Sequence, residues 1–140
     1  PMVMDAEENF YFKPEAGRIL ASPGDETDTP PTDAQPEELD VAIAVDRVQT
    51  ATNLSVQRIT HRWAGLRSFL PDKMPVAGLD PAVEGFIWLA GLGGFGIMTS
   101  EALGRAAAAA ATGSALPADL TAAGIDPSAL SPARITSANR

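Results

Sequence analysis

Apolar and polar residues alternate in short blocks along the first quarter of the chain. Asn9-Phe-Tyr-Phe-Lys-Pro14 reads as a short strand and Arg18-Ile-Leu-Ala-Ser22 as a second. Glu15-Ala-Gly-Arg18 lies between them, so the pattern predicts a hairpin with a four-residue loop. Pro23 to Pro36 is rich in Pro, Thr and Asp and reads as a solvated acidic loop. The spacing then changes to helical. Pro36-Glu-Glu-Leu39 opens a helix, and Leu39, Ile43, Val45 or Asp46, and Val48 give a mixed apolar stripe running to about Thr52. Leu54, Val56 and Ile59 predict a strand over Leu54–Trp63. Gly65-Leu-Arg67 and Pro71–Pro75 read as irregular. Pro75–Gly78 and Phe86–Ala90 read as short strands joined by a turn. A closing helix is predicted from about Ile97 to Ala111, with the run Ala106–Ala111 supplying high helix propensity at small volume. The tail from Leu116 holds Pro117, Pro127 and Pro132 and reads as irregular, with one helical turn at most. No internal repeat is present.

The richest segment is Phe86–Gly104, where an apolar strand meets a glycine turn and a helix opens out of it. The first N–H groups of a helix lack intrahelical partners and carry the positive end of the dipole. They suit an anionic or electron-rich group. Gly91, Gly93 and Gly96 satisfy G-x-G-x-x-G. The context is wrong for a dinucleotide-binding unit, which needs a second apolar strand ending in an acid about 20 residues on. Here the helix meets Thr112-Gly113-Ser114, and Ala115–Leu120 has a Pro and no strand pattern. Asp119 stands at roughly the right distance in the wrong setting. Three glycines at Gly93, Gly94 and Gly96 are costly unless something approaches the backbone.

The 140 residues suffice for one ordinary domain, and 45% hydrophobic content permits a core. A net charge of −8 argues against nucleic acid and anionic membrane as partners. The absence of cysteine excludes disulfides, thiolate zinc sites and thiol catalysis. No apolar run approaches the ~20 residues of a membrane span. A cytoplasmic protein is the expectation, and the opening Pro1-Met-Val-Met-Asp5 suggests a start cut from something longer.

Four elements then fall in a telling order: Phe10–Ser22, Trp63-Ala-Gly-Leu-Arg67, Pro71-Asp72 with Pro75-Val-Ala-Gly78, and Gly91–Ala102. The set resembles the C-terminal portion of the D-amino-acid oxidase superfamily of FAD-dependent oxidoreductases, which includes glycine oxidase, sarcosine oxidase and D-amino-acid dehydrogenase. The resemblance covers about residues 4 to 112. It implies an α+β fold: part of an antiparallel substrate-domain sheet plus a strand–Gly-turn–helix that returns to the FAD domain. Residues 1–78 would belong to the substrate-binding domain, 79–112 to the FAD-domain element and 113–140 to the tail. The implied activity is oxidation of the C–N bond of a D-amino acid or related secondary amine, with hydride transfer to flavin. The implied partners are a small carboxylated amine and an N-terminal FAD-binding portion, in the same polypeptide or a partner chain. The chain alone would not hold FAD and would be inactive. A non-catalytic subunit completing a partner chain, or a structural fragment, are the other readings.

The resemblance also assigns residues. Arg67 in Gly-Leu-Arg would grip the substrate carboxylate through its planar fork. Ser68 departs from the family, which often has Pro there. Gly93, Gly94, Phe95, Gly96 and Ile97 match the loop passing the flavin pyrimidine ring. Their N–H groups would bond the C2 carbonyl and stabilise charge on the reduced ring. Tyr11 lies on the hairpin that faces the substrate pocket in the family, and alternation points it away from Phe10 and Phe12. His61 reads as a solvated residue, Trp63 and Trp88 as core aromatics, and Asp5, Glu7 and Glu8 as an acidic turn without metal-ligand spacing. No catalytic base and no metal ligand are assigned.

Overall fold

The computed structural model describes residues 1–137 and shows an α+β chain that separates into two compact units, Pro1–Leu66 and Arg67–Arg140. The first unit is a three-stranded antiparallel sheet with one helix. Strand β1 (Val3–Met4) pairs with β2 (Tyr11–Glu15), which pairs with β3 (Arg18–Ser22). Pro14 is tolerated in the central strand because β1 reaches only as far as Phe12. Glu15 pairs with Arg18, so the hairpin loop is two residues rather than the four read from sequence. Ala16 and Gly17 take φ of 48° and 77°, the double left-handed geometry that matches strand twist. Asp5 organises the β1–β2 turn. Its Oδ2 accepts from the N–H of Glu7 at 3.2 Å and from Asn9 Nδ2 at 2.9 Å, as the acidic-turn reading expects.

Helix α1 (Glu38–Ala51) carries Glu38 and Asp40 in its first turn, where they complement the dipole. It buries Ala44 and Val48; Leu39, placed on the apolar stripe by spacing, is 68% exposed. Arg47 joins the helix to the sheet unit by donating to the carbonyls of Asn9 and Pro23. The strand expected over Leu54–Trp63 does not form. Leu54, Val56 and Ile59 are exposed, and no neighbour offers them a ladder. An apolar alternation without a partner edge leaves its backbone to water. Isolated side-chain contacts hold the stretch instead: Val56 N–H to Gln49 Oε1 at 2.9 Å, and an Arg62–Glu38 ion pair. Trp63 is 69% exposed, so it is not a core aromatic.

In the second unit β4 (Val76–Leu79) and β5 (Ile87–Ala90) form an antiparallel pair. Val76 pairs with Ala90 and Leu79 with Ile87 across this pair. Asp80 closes the turn by accepting from the N–H groups of Ala82 and Val83 at 2.7 and 2.9 Å and from Trp88 Nε1 at 2.7 Å. Trp88 is 40% exposed and thus a turn anchor, not a core residue. A 3₁₀ turn (Gly93–Phe95) leads into α2 (Gly96–Ala111). The tail, expected to be irregular, forms α3 (Ala118–Ala122), α4 (Pro127–Leu130) and α5 (Ala133–Ser137). Asp126 caps α4, its Oδ1 accepting from Ser128 N–H at 2.8 Å. The unit's apolar core is Ala77, Leu103, Ala106 and Leu130, with Leu116 and Ile125 packed on it. Tail side chains thus complete a core that α2 and β4 could not close alone. No helix among the described residues is long and apolar enough to cross a membrane.

Five carboxyls, Asp5, Asp72, Asp80, Asp119 and Asp126, are held below the ordinary carboxylate range. The largest cause in each is a side-chain hydrogen bond, from Asn9, Arg134, Trp88, Arg105 and Ser128 respectively. A depressed folded pKa adds stability that is fully present above the unfolded value of about 3.9 and is lost as pH falls through the folded values. Circular dichroism should therefore show flat stability from neutral pH to about 4 and acid unfolding only below it. Loss beginning near pH 6 would mean that these contacts do not control it.

Candidate functional site

The second unit brings two of the sequence-assigned elements together. The Gly93 N–H donates to the Ser68 carbonyl at 3.1 Å, so the segment that carries Arg67 is bonded directly to the glycine turn. Two side chains from the same segment seat against that turn. A Cβ at Gly93 would stand 2.7 Å from Cε1 of Phe69, and one at Gly91 would stand 2.7 Å from Cγ of Leu70. Both glycines also have left-handed φ, 53° and 69°. Neither can become another residue without displacing its partner and straining the backbone.

This revises the reason for the glycines. At Gly91 and Gly93 what approaches the backbone is the chain's own Phe69 and Leu70, not a ligand. Gly94 is different: its φ lies outside the left-handed range and nothing stands within 4 Å of where a Cβ would be. It faces open space, as does the start of α2, where Phe95, Ile97 and Met98 are 45%, 95% and 72% exposed. Neither Leu92, at the N-cap of the 3₁₀ turn, nor Phe95, at that of α2, forms a side-chain cap. The Phe95 N–H donates to the Leu92 carbonyl at 3.1 Å, so the arrangement is a helix start open to solvent at Gly94 and bordered by apolar side chains. The start of a helix carries the positive end of its dipole and suits an anionic or electron-rich group.

Arg67 is exposed, and among the described residues no hydrogen bond or ion pair engages its guanidinium. Its five donors are available to an incoming carboxylate. Arg105 and Arg134 of this unit are committed internally, Arg105 to Glu101 and Asp119 and Arg134 to Asp72. Asp119, the acid at the spacing of a dinucleotide-binding ribose contact, thus serves a helix–helix ion pair. Both sheets are antiparallel, in keeping with the rejection of that motif.

Tyr11 lies in the first unit, half-buried on β2 opposite Met4 and Ser22. Phe10 and Phe12 stack with centroids 6.3 Å apart on the other face, as alternation requires. His61 is exposed beside a shallow depression of about 200 Å³ lined only by Ile59, Thr60, His61 and Arg62, four consecutive residues with no converging group. Among the described residues no group of three or more His, Asp or Glu could hold a metal ion.

Sequence reasoning missed Ser68, Phe69 and Leu70, the residues that fix the glycine turn. The only local signal is the apolar pair Phe69-Leu70, directly after Arg67-Ser68 in an otherwise irregular stretch. Residues 1–110 match the family described as FAD dependent oxidoreductase, DAO type. The match takes in the hairpin, Arg67, the Phe69–Leu70 floor and the glycine turn, and ends within α2. The chain belongs to the D-amino-acid-oxidase (DAO) family of FAD-dependent oxidoreductases.

Proposed function

We propose that this chain supplies the substrate anchor and the flavin-ring contact of an enzyme that oxidises the C–N bond of a D-amino acid or a related carboxylated secondary amine. The observation that carries the reading is the Gly93–Ser68 hydrogen bond, which ties the Arg67 segment to the turn at α2. An anchor for the substrate carboxylate then stands beside a helix start suited to an electron-rich group. FAD, when bound, supplies the ring that accepts a hydride. Arg67 would fork the carboxylate and so orient the α-carbon for transfer of its hydride. The amine must arrive neutral: its lone pair forms the C=N bond as the α-hydride leaves, and the nitrogen, now positively charged, gives one proton to water. No base from this chain is needed. The open start of α2 at Gly94–Ile97 would offer the positive end of the helix dipole to the flavin ring. Phe95, Ile97 and Met98 lend an apolar border that keeps water from the reacting carbon. Tyr11 is assigned to the substrate pocket wall.

In this reading the ADP half of FAD is held by a nucleotide-binding portion, in the same polypeptide or a partner chain. Pyrophosphate contacts come from a parallel βαβ unit, whereas the strands here are antiparallel. FAD titrated into the 140-residue chain should show no 1:1 binding at micromolar concentration by flavin fluorescence. Tighter binding would overturn that division of labour. The activity itself is tested under anaerobic conditions on the flavin-loaded enzyme in which this chain is joined by that nucleotide-binding portion. D-amino acids and N-methyl amino acids should bleach the flavin's visible band, and the matching amines without a carboxylate should do so far more slowly. Equal rates for both sets would remove the anchoring role.

A further inference from the structure

We propose that Arg134, in the tail beyond the family match, is a positioning residue for the Arg67 and Gly93 elements. The proposal rests on the site reading above for its functional consequence and on geometry alone for the positioning. Arg134 donates from Nε to Asp72 Oδ2 at 2.7 Å, and from Nη2 to the carbonyls of Met74 and Pro75 at 2.7 and 3.0 Å. Its Nη1 donates to the carbonyl of Ser131 at 3.1 Å, which holds the guanidinium to its own helix start. The side chain is only 18% exposed, so this is a seated clamp and not a surface pair.

What the clamp grips is the turn that ends the Phe69–Leu70 floor. Lys73 N–H donates to the Leu70 carbonyl at 2.8 Å, and Asp72 Oδ1 accepts from Met74 N–H at 3.1 Å. Lys73 takes φ 57°, a left-handed conformation that is strained for a non-glycine residue and persists only where neighbours enforce it. From that turn the chain runs back through Leu70 on Gly91 and Phe69 on Gly93 to the Ser68 carbonyl and Arg67. The tail that carries Arg134 is itself anchored. Leu130 lies in the core, and Pro132 sits 3.0 Å from where a Cβ of Gly78 would be. A fixed tail thus holds a strained turn, and the turn holds the floor under the glycine loop.

The test is residue-resolved amide exchange in the full chain. Arg134→Gln removes the charge and most of the fork. It should speed exchange of the Gly93 amide by about tenfold or more while the α2 amides of Leu103 and Ala106 keep their rates, because opening is local. Arg134→Lys keeps one charged contact but cannot span the carboxylate and two carbonyls together, and should fall between. Unchanged Gly93 exchange in Arg134→Gln overturns the proposal. So does equal acceleration at Gly93, Leu103 and Ala106, which marks a general brace. If Arg134→Gln does not fold, Asp72→Asn carries the same comparison with the same two overturning outcomes. In the flavin-loaded enzyme Arg134→Gln should raise KM for a carboxylated amine with kcat nearly unchanged, since Arg67 loses its fixed position. If Gly93 exchange responds but no amine is oxidised, the positioning stands and the substrate assignment falls.

Discussion

Replacing Arg67 with alanine should lower kcat/KM for a carboxylated amine by about 30- to 1,000-fold, the equivalent of roughly 2–4 kcal/mol of a charge-assisted, two-point contact. The guanidinium makes no hydrogen bond or ion pair with the described residues, so its removal should cost the fold almost nothing. Arg67→Lys keeps the charge and loses the planar fork, and should lie between. FAD content should be unchanged, since Arg67 is assigned to substrate. An amine without a carboxylate should respond much less. Steady-state kinetics on both substrate types decides the matter: a change within twofold for the carboxylated substrate rejects the anchor.

The second large effect separates two roles within one turn. Gly93→Val puts a branched side chain at φ 53° with its Cβ 2.7 Å from the Phe69 ring. Backbone strain and overpacking add to roughly 2–4 kcal/mol, and thermal unfolding should show it with or without cofactor. Gly94→Val meets no neighbour and no left-handed φ, so stability should change by no more than about 0.5 kcal/mol. Its side chain nevertheless stands on the open face proposed for the flavin ring. FAD occupancy of the loaded protein should therefore fall in Gly94→Val while its unfolding midpoint without cofactor stays level. If Gly94→Val loads FAD like the parent, the ring does not lie there.

The site was partly legible in the chain. Arg67 and the glycine turn could be picked out because each is a short motif of distinctive residue types. That Gly93 and Gly91 yield to Phe69 and Leu70 could not be read, because the floor and the turn are more than 20 residues apart and only folding brings them into contact. Arg134, 62 residues from Asp72, was invisible for the same reason.

Features set by neighbours in sequence were determined by the sequence itself. The β3 span, a turn within Glu15–Arg18 and a helix opening near Ile97 rest on alternation, turn chemistry and propensity, which act within a few residues. Tertiary structure decided whatever needed a partner. Leu54–Trp63 has strand alternation but no edge to pair with, so it stays irregular. The tail has prolines and weak periodicity, yet Leu120 and Leu130 are buried and its helices form where Leu130 joins Ala77, Leu103 and Ala106. Burial against a surface supplied by distant residues outweighs the local signal in one case, and the lack of such a surface cancels it in the other.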